Sequence, residues 1–316
     1  MNLTKRRVLW VCGALLIAGG VLAVLLSTPK EPVYQERKLS EWLEAANGSN
    51  PQIAVTSAWA AVHAMGADCL PWLLAELQAG NPSPGQRLVC EALGLTLLDA
   101  RERKSRATTG LAMLGDAALP AIPELAGRLS DSNRSVSARF ALDAIAGGMQ
   151  SHLVSKPAGL TNGLTPASAK AHAAVLETYL AAVCGNKEWA KGESIYALGL
   201  FSEDAARIVP AVLPCTRDNS AMVRGAAAWA LGKFAREPVP VIPELIRLLD
   251  DPAAQVRRIA AYALGQYYRQ AKTAVPRLLD ARRDPDPEVR KVANESLDKI
   301  DPETAAAIPD LPEFKP

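Results

Sequence analysis

The chain is poor in the residues that build chemistry. Its three histidines, His63, His152 and His172, stand far apart, and none opens H-x-x-x-H, H-x-E or His-Glu. The cysteines, Cys12, Cys69, Cys90, Cys184 and Cys215, include no C-x-x-C pair, so the usual zinc and dithiol spacings are missing. No G-x-S-x-G, G-x-x-x-x-G-K-[ST] or G-x-G-x-x-G occurs, which removes the nucleophile elbow, the P-loop and the dinucleotide fingerprint. A formal charge of +2 gives no field that would draw a nucleic acid. Aromatics make up only 5% of residues although 49% are apolar, so the core is mostly Ala, Leu and Val, which favours close-packed helices over sheet. We therefore expect no catalytic residues, no metal site, no cofactor and no small-molecule substrate.

What is present is a period. Pro210, Pro243 and Pro276 lie 33 residues apart, as do Asp218, Asp251 and Asp284, then Val223-Arg224, Val256-Arg257 and Val289-Arg290, then Leu231, Leu264 and Leu297. The frame reaches back to Ala190, Ala197, Leu198 and Gly199. A period of this size marks stacked helix pairs. Within each unit, Val256, Ile259/Ala260, Ala263, Leu264 and Tyr267 follow helical spacing, and the stripes from Val223 and Val289 repeat it. One helix pair cannot bury such a stripe alone, whereas stacked neighbours do so.

A second feature is an uncharged run from Val8 to Leu26, 19 residues preceded by Lys5, Arg6 and Arg7. As a helix it spans about 28 Å, close to the hydrocarbon thickness of a bilayer. The basic cluster keeps the N-terminus cytoplasmic and sends the remainder across. A cleaved signal peptide is the competing reading, but its apolar core is shorter and ends in a small-x-small site, which Val24-Leu25-Leu26 does not supply.

The expected organisation is a basic stub (1–7), a transmembrane signal anchor (8–26), a linker (27–38) and N-terminal helix pairs (39–146). A Gly/Ser/Pro-rich loop (147–165), four regular units (166–300) and a proline-rich tail (301–316) complete it. Ser40 is the expected N-cap of the first helix, and Gly66 its pair's left-handed terminator. Met65–Pro71 parallels Leu114–Pro120, and Asp131 and Val136 follow Pro123 at the offsets seen in the regular units. The loop is long enough to be an insertion or a seam between two half-solenoids. In an oxidising compartment Cys69, Cys90, Cys184 and Cys215 could pair, but buried thiols are favoured.

These columns resemble HEAT repeats, specifically the short HEAT-like units associated with phycobilisome lyases: a Pro opening the first helix, an Asp at the turn, then Val-Arg and Ala-Leu-Gly on the second. Pro243, Asp251, Val256-Arg257 and Leu264-Gly265 make one such unit. Tyr34-Gln35 and Leu39-Ser40-Glu41-Trp42-Leu43 also look like the start of bacterial membrane-anchored HEAT-repeat ectodomains. The resemblance implies an all-α, armadillo-like α-solenoid used as a scaffold. Ser137 departs from the pattern where Arg is expected, and the HEAT-repeat di-iron hydroxylases use His-Glu pairs that this chain lacks.

Candidate sites follow from the columns. Asp218, Arg224, Asp251, Arg257, Asp284 and Arg290 are expected to form a structural ladder between turns, with a basic stripe for an acidic partner as the other reading. Tyr196, Trp229 and Tyr262 form an aromatic column at the edge of the core stripe, suited to packing between repeats or to a partner. Beside them Gly192, Ile195, Gly225, Ala228 and Ala261 are small or uncharged, with Arg258 and Lys291 as the charges; this is an expected apolar groove for a helix or extended peptide, unless crowding by curvature explains it. The expected function is a membrane-anchored scaffold binding a protein or peptide outside the cytoplasm. A repeat-scaffold enzyme acting in the manner of a lyase, or a structural spacer, are the alternatives.

Overall fold

The computed structural model describes residues 29–46, 51–81, 84, 98–147, 166–234 and 238–307. The expected anchor (8–26), the loop beyond Gly147 and the chain from 308 onward lie outside the described residues. Among the described residues, no helix is long and apolar enough to cross a membrane. The protein is an all-α helical repeat solenoid, divided into two compact units at Ala121/Ile122.

The first unit opens with a small hairpin where the linker was expected. Strands β1 (Val33–Tyr34) and β2 (Arg37–Lys38) pair antiparallel, and Gln35 and Glu36 turn the chain at φ 50 and 63. Both residues in the left-handed region give the turn its right-handed twist. Helix α1 (Leu39–Ala46) follows at once. Ser40 is not its cap: Ser40 N–H donates to Glu31 Oε1 at 2.6 Å, so a carboxylate from the preceding segment satisfies the first turn. Trp42 Nε1 donates to Tyr34 O at 3.2 Å, and Arg37 lies 4.4 Å over the Trp42 ring. The hairpin is thus fastened to the helix.

Helix α2 (Pro51–Met65) ends at Gly66, whose φ of +56 is the left-handed terminator expected. A short 3-10 turn, Gly66–Cys69, leads to α3 (Leu70–Gln78). Helix α4 (Ala100–Leu114) is closed at its start by a capping box between Asp99 and Glu102 and at its end by Gly115, φ +53. The parallel between Met65–Pro71 and Leu114–Pro120 therefore has a structural basis in a left-handed glycine and a 3-10 turn. Leu39, Leu43, Leu73, Leu111 and Leu114 form the core. Arg103 on α4 holds the buried Glu76 of α3 with a fork at 2.6–3.2 Å.

The second unit is a stack of helix pairs. They are α5 (Ile122–Arg128) with α6 (Ser135–Ile145), α7 (Pro166–Val183) with α8 (Glu188–Leu198), and α9 (Ala205–Val212) with α10 (Ala221–Gly232). Two more follow: α11 (Pro238–Leu248) with α12 (Ala254–Gln266), then α13 (Val275–Ala281) with α14 (Pro287–Ile300). The pair α5/α6 belongs here and not with the first unit, because α6 packs on both α7 and α8. The unit boundary accordingly lies ahead of the 147–165 segment. A last helix, α15 (Pro302–Ala307), packs on α14 within the expected proline-rich tail.

Two further details differ from the sequence reading. Pro210 and Pro243 lie inside α9 and α11 instead of opening them; the preceding residues add a turn ahead of each. On α6 the buried stripe starts at Ser135, and Val136 is 46% exposed. The frame has slipped by one residue at the helix start, which turns Val136 outward.

Successive second helices α6, α8, α10, α12 and α14 pack side by side, and glycine sets their approach. A Cβ on Gly199 would sit 2.5 Å from the Trp229 ring, on Gly232 2.8 Å from Ala263 Cβ, and on Gly265 2.7 Å from Ser296 Oγ. Val223, Ala227, Ala230 and Leu231 are fully buried, as are Ala260, Ala263, Leu264 and Tyr267 one unit on. The Tyr267 hydroxyl donates to Leu231 O at 2.7 Å, which satisfies a carbonyl at the end of α10. Leu264→Ala should cost about 2–5 kcal/mol through the cavity it leaves, with α11–α14 losing amide-exchange protection before α7 and α8. Uniform loss of protection along the unit would contradict nearest-neighbour stacking.

Candidate functional site

The repeated ion pairs lie at the ends of the second helices. Arg224 on α10 donates from Nε and Nη2 to both oxygens of Asp251 at 2.6 and 2.8 Å. Arg257 on α12 does the same to Asp284, at 2.7 Å twice. Each acid belongs to the next unit, 27 residues on. Nη1 of each Arg meanwhile donates back to Asp218 O or Asp251 O, six residues before it. Each Asp side chain also accepts from a backbone N–H two residues on: Ser220, Ala253 and Asp286. One guanidinium thus ties the turn of its own unit to the turn of the next. Arg290 repeats the backward half of the pattern, to Asp284 O at 2.7 Å.

A first rung escaped the sequence reading. Lys191, 33 residues before Arg224, holds Asp218 at 2.9 Å. The column position was legible, but the change from Arg to Lys hid it. Burial pushes Asp218, Asp251 and Asp284 up, yet their hydrogen bonds to backbone N–H groups and to the cations outweigh it, and all three are held below the ordinary carboxylate range. Hydrogen bonds to the acids raise Lys191, Arg224 and Arg257 in turn.

The exposed face of the same helices forms an open groove of about 660 Å³. Its floor and walls come from four successive second helices: Val136 and Arg139 on α6, Glu193 and Tyr196 on α8, Met222, Gly225 and Trp229 on α10, Arg258, Ile259 and Tyr262 on α12. Six residues singled out from sequence as groove candidates, Gly192, Tyr196, Gly225, Trp229, Arg258 and Tyr262, therefore line one concavity. Ala228 does not: it is 0% exposed, packed between helices. Ile195 and Ala261 are buried for the same reason, and a Cβ on Gly192 would meet Met222 Cε at 2.8 Å. The small residues thus reflect crowding between helices more than an apolar floor. Lys291 is exposed on α14 and stands outside the lining.

Tyr196 and Trp229 stack, with ring centroids 3.9 Å apart and planes at 9°. Trp229 leans on Gly199 from one side and carries Lys233 Nζ 4.9 Å from its centroid. Tyr262 stands 37% exposed with Lys299 Nζ at 5.8 Å. These cations over ring faces are favourable placements.

Sequence reasoning missed the α6 end of the groove. Arg139 is buried and donates to Glu193 Oε2 at 2.8 Å and to Asp143 Oδ2 at 3.1 Å, and its guanidinium lies 4.5 Å over Phe140 and 5.4 Å over Tyr196. The buried Tyr179 hydroxyl donates to Asp143 Oδ1 at 2.7 Å. Burial pushes the Asp143 carboxyl up to about 6, although hydrogen bonds from Tyr179 and Arg139 oppose it. For two other lining residues, Gln255 and Ile259, helical spacing was the available signal: they lie seven and three residues before Tyr262, on one helix face.

Elsewhere, His172 sits 2.8 Å from Asp204 and 3.3 Å from Ala146 O, and His63 stacks on Trp59. His152 lies outside the described residues. Among the described residues there is no group of three or more His, Cys, Asp or Glu placed to hold a metal ion. Cys69 and Cys215 are buried free thiols and Cys184 an exposed one, with burial raising Cys69 to about 11; Cys12 and Cys90 lie outside the described residues.

Comparison with known proteins agrees with the repeat architecture. Residues 185–265 and 242–313 match the family model for HEAT repeats. No curated protein matches the chain. Among solved structures, a designed armadillo repeat protein in complex with the peptide (KR)4 is 15% identical, with 83% of this chain and 99% of that one covered at a TM-score of 0.44. An engineered protein is 18% identical, over 84% and 98%, at 0.45. Human deoxyhypusine hydroxylase in complex with glycerol is 18% identical, over 84% and 85%, at 0.34. At these scores they say nothing of this chain's groove.

The acids set opposing pH dependences. The ladder carboxylates, held low, contribute stability that is present above their ordinary range and lost as pH falls through their depressed folded values. Asp143, held high, contributes stability that is full below its ordinary value and lost as pH rises through about 6. Denaturation midpoints for Asp284→Asn should therefore fall less than those of the native chain below about pH 4, and Asp143→Asn should flatten the profile between about pH 4 and 6. At neutral pH, Asp284→Ala, which strands Arg257, should cost about 3 kcal/mol.

Proposed function

We propose that the HEAT repeats of residues 185–313, with α6 ahead of them, form a scaffold whose groove docks an extended peptide or a protein segment. The observation that supports this is the aromatic column. Tyr196, Trp229 and Tyr262 come from three successive units, line one concavity and leave Tyr196 and Tyr262 40% and 37% exposed. Aromatic and arginine side chains grouped in a concavity are where binding energy concentrates, and the backbone of an extended ligand would cross the helices one after another.

The second part of the proposal concerns place. Val8–Leu26 would act as a retained anchor, with Lys5–Arg7 in the cytoplasm and the solenoid on the other side. The support is the length of the uncharged run and the charge bias before it. A scaffold held this way would recruit its partner to the membrane surface without chemistry of its own.

Two experiments bear on the two parts separately. Peptides selected from a display library on the full chain should bind at least about tenfold more weakly to Arg258→Glu and to Tyr262→Ser; unchanged binding to both would remove the groove from the proposal. Gly19→Arg, near the middle of the apolar run, should cost about 2.5–3.5 kcal/mol on insertion scales and move the protein out of the membrane fraction. Full retention there would count against the anchor.

A further inference from the structure

The groove changes character along its length. Positions 33 residues apart form lanes across the second helices, and each lane can be followed from unit to unit. One lane runs Gly192, Gly225, Arg258 and Lys291; another runs Leu200, Lys233, Gln266 and Lys299. In both, small or apolar residues at α8 give way to cations toward α12 and α14.

The α6–α8 end is apolar. Val136 and Phe140 on α6 are exposed, and so is Leu200 just past α8. The charges beside them cancel, because Arg139 holds Glu193 at 2.8 Å. The α12 end is basic. Arg258 is half-buried in the lining and makes no hydrogen bond or ion pair among the described residues. Its neighbour Arg257, by contrast, is committed to Asp284. Lys233 and Lys299 reach over the rings of Trp229 and Tyr262. Glu288 and Glu295 on α14 oppose this charge, but both are exposed and stand outside the lining, where salt screens them. A guanidinium partly withdrawn from water and lacking an acid favours a ligand that brings one.

The rings suit side chains better than bases. Tyr196 has Trp229 stacked on it at 3.9 Å and the Arg139 guanidinium 5.4 Å from its centroid. Trp229 is covered in turn by Tyr196, Gly199 and Lys233. A single-stranded nucleic acid needs free ring faces to stack on, whereas aliphatic side chains pack well against ring edges.

We propose that the occupant is an acidic–apolar peptide that crosses the helices in one direction. Its carboxylates meet Arg258 at the α12 end, and its apolar side chains pack on Val136, Phe140 and Leu200 at the other. This rests on the groove being a peptide site, as proposed above, and adds what the peptide is made of. Four second helices about 8–10 Å apart set the ends roughly 24–30 Å from one another. An extended chain covers that distance in about eight or nine residues.

The test uses the full chain in mild detergent and three fluorescent peptides of about ten residues, read by anisotropy. All three share an apolar half of Leu and Phe; the other half is all Glu, all Gln or all Lys. The Glu peptide should bind at least about tenfold more tightly than the Lys peptide, with the Gln peptide between them. Arg258→Glu should invert that order while the thermal melt stays in place, since Arg258 has no bond within the fold to lose. Phe140→Ser should weaken all three peptides by a similar factor. Equal binding of the three peptides by the native chain would overturn the inference. So would a Glu peptide indifferent to Arg258→Glu, or a single-stranded oligonucleotide that displaces it at lower concentration. If display-selected peptides lack acids yet still depend on Tyr262, the acidic ligand falls and the groove stands. If no peptide of either origin binds in a Tyr262-dependent way, both fall together.

Discussion

Everything in the second unit depends on how closely one second helix can approach the next. The glycines at 199, 232 and 265 leave no room for a side chain against Trp229, Ala263 and Ser296, and Ala228, Ala261 and Ile195 fill what remains of each seam. Helix axes held together by small residues gain dispersion contacts over their whole length, and the apolar stripes behind them are covered from both sides. The stripe of one unit is buried only because the next unit is present. Stability therefore belongs to pairs of neighbours and not to any single pair of helices.

Close stacking alone does not define which residue meets which. The rungs at Lys191–Asp218, Arg224–Asp251 and Arg257–Asp284 do so. A planar guanidinium that binds a carboxylate with two parallel bonds, and two carbonyls of its own turn with another nitrogen, accepts little sliding between units. Replacing such a pair with apolar side chains need not weaken the fold, because desolvating both charges is costly; the rung contributes register. Where Lys stands in for Arg, at the first rung, one point charge supplies the attraction but not the fork.

The repeat was legible because it is written in columns. Pro, Asp, Val-Arg and Ala-Leu-Gly recur at a fixed offset, and a period needs no knowledge of the partner helix. The second-helix stripes came out at the positions their spacing implied. What lacked a column was harder to see. The hairpin at Val33–Lys38 hides in a polar stretch of two-residue strands, and its turn uses Gln35 and Glu36 where glycine or asparagine would have signalled it. Ser40 matched the cap pattern, but Glu31 arrives from eight residues before the helix start to take that place, and single-window reasoning does not look so far. Ala228 looked like surface because a helix has an outward side; only the presence of α8 and α12 on both flanks makes that side interior. The Arg139–Asp143–Glu193 cluster joins residues 54 apart outside any common frame, so no period could have pointed to it.

The same crowding that buries the small residues produces the groove. When seams are lined with Gly and Ala, large residues go to the free edge, and here Tyr196 and Trp229 stack across a seam while Tyr262 stands alone on the next. Arg139 and Glu193 close the α6 end by neutralising one another, which leaves the net positive charge at the opposite end, around Arg258 and Lys299. Such a site offers one ring stack, one lone ring and a short row of cations, with no deep enclosed pocket. Association must still overcome lost translational and rotational freedom of at least about 4 kcal/mol, so a short free peptide gains little net affinity. A ligand tethered nearby does not lose that freedom again on binding. For a groove of this kind, tethering of the partner contributes as much to occupancy as the contacts themselves.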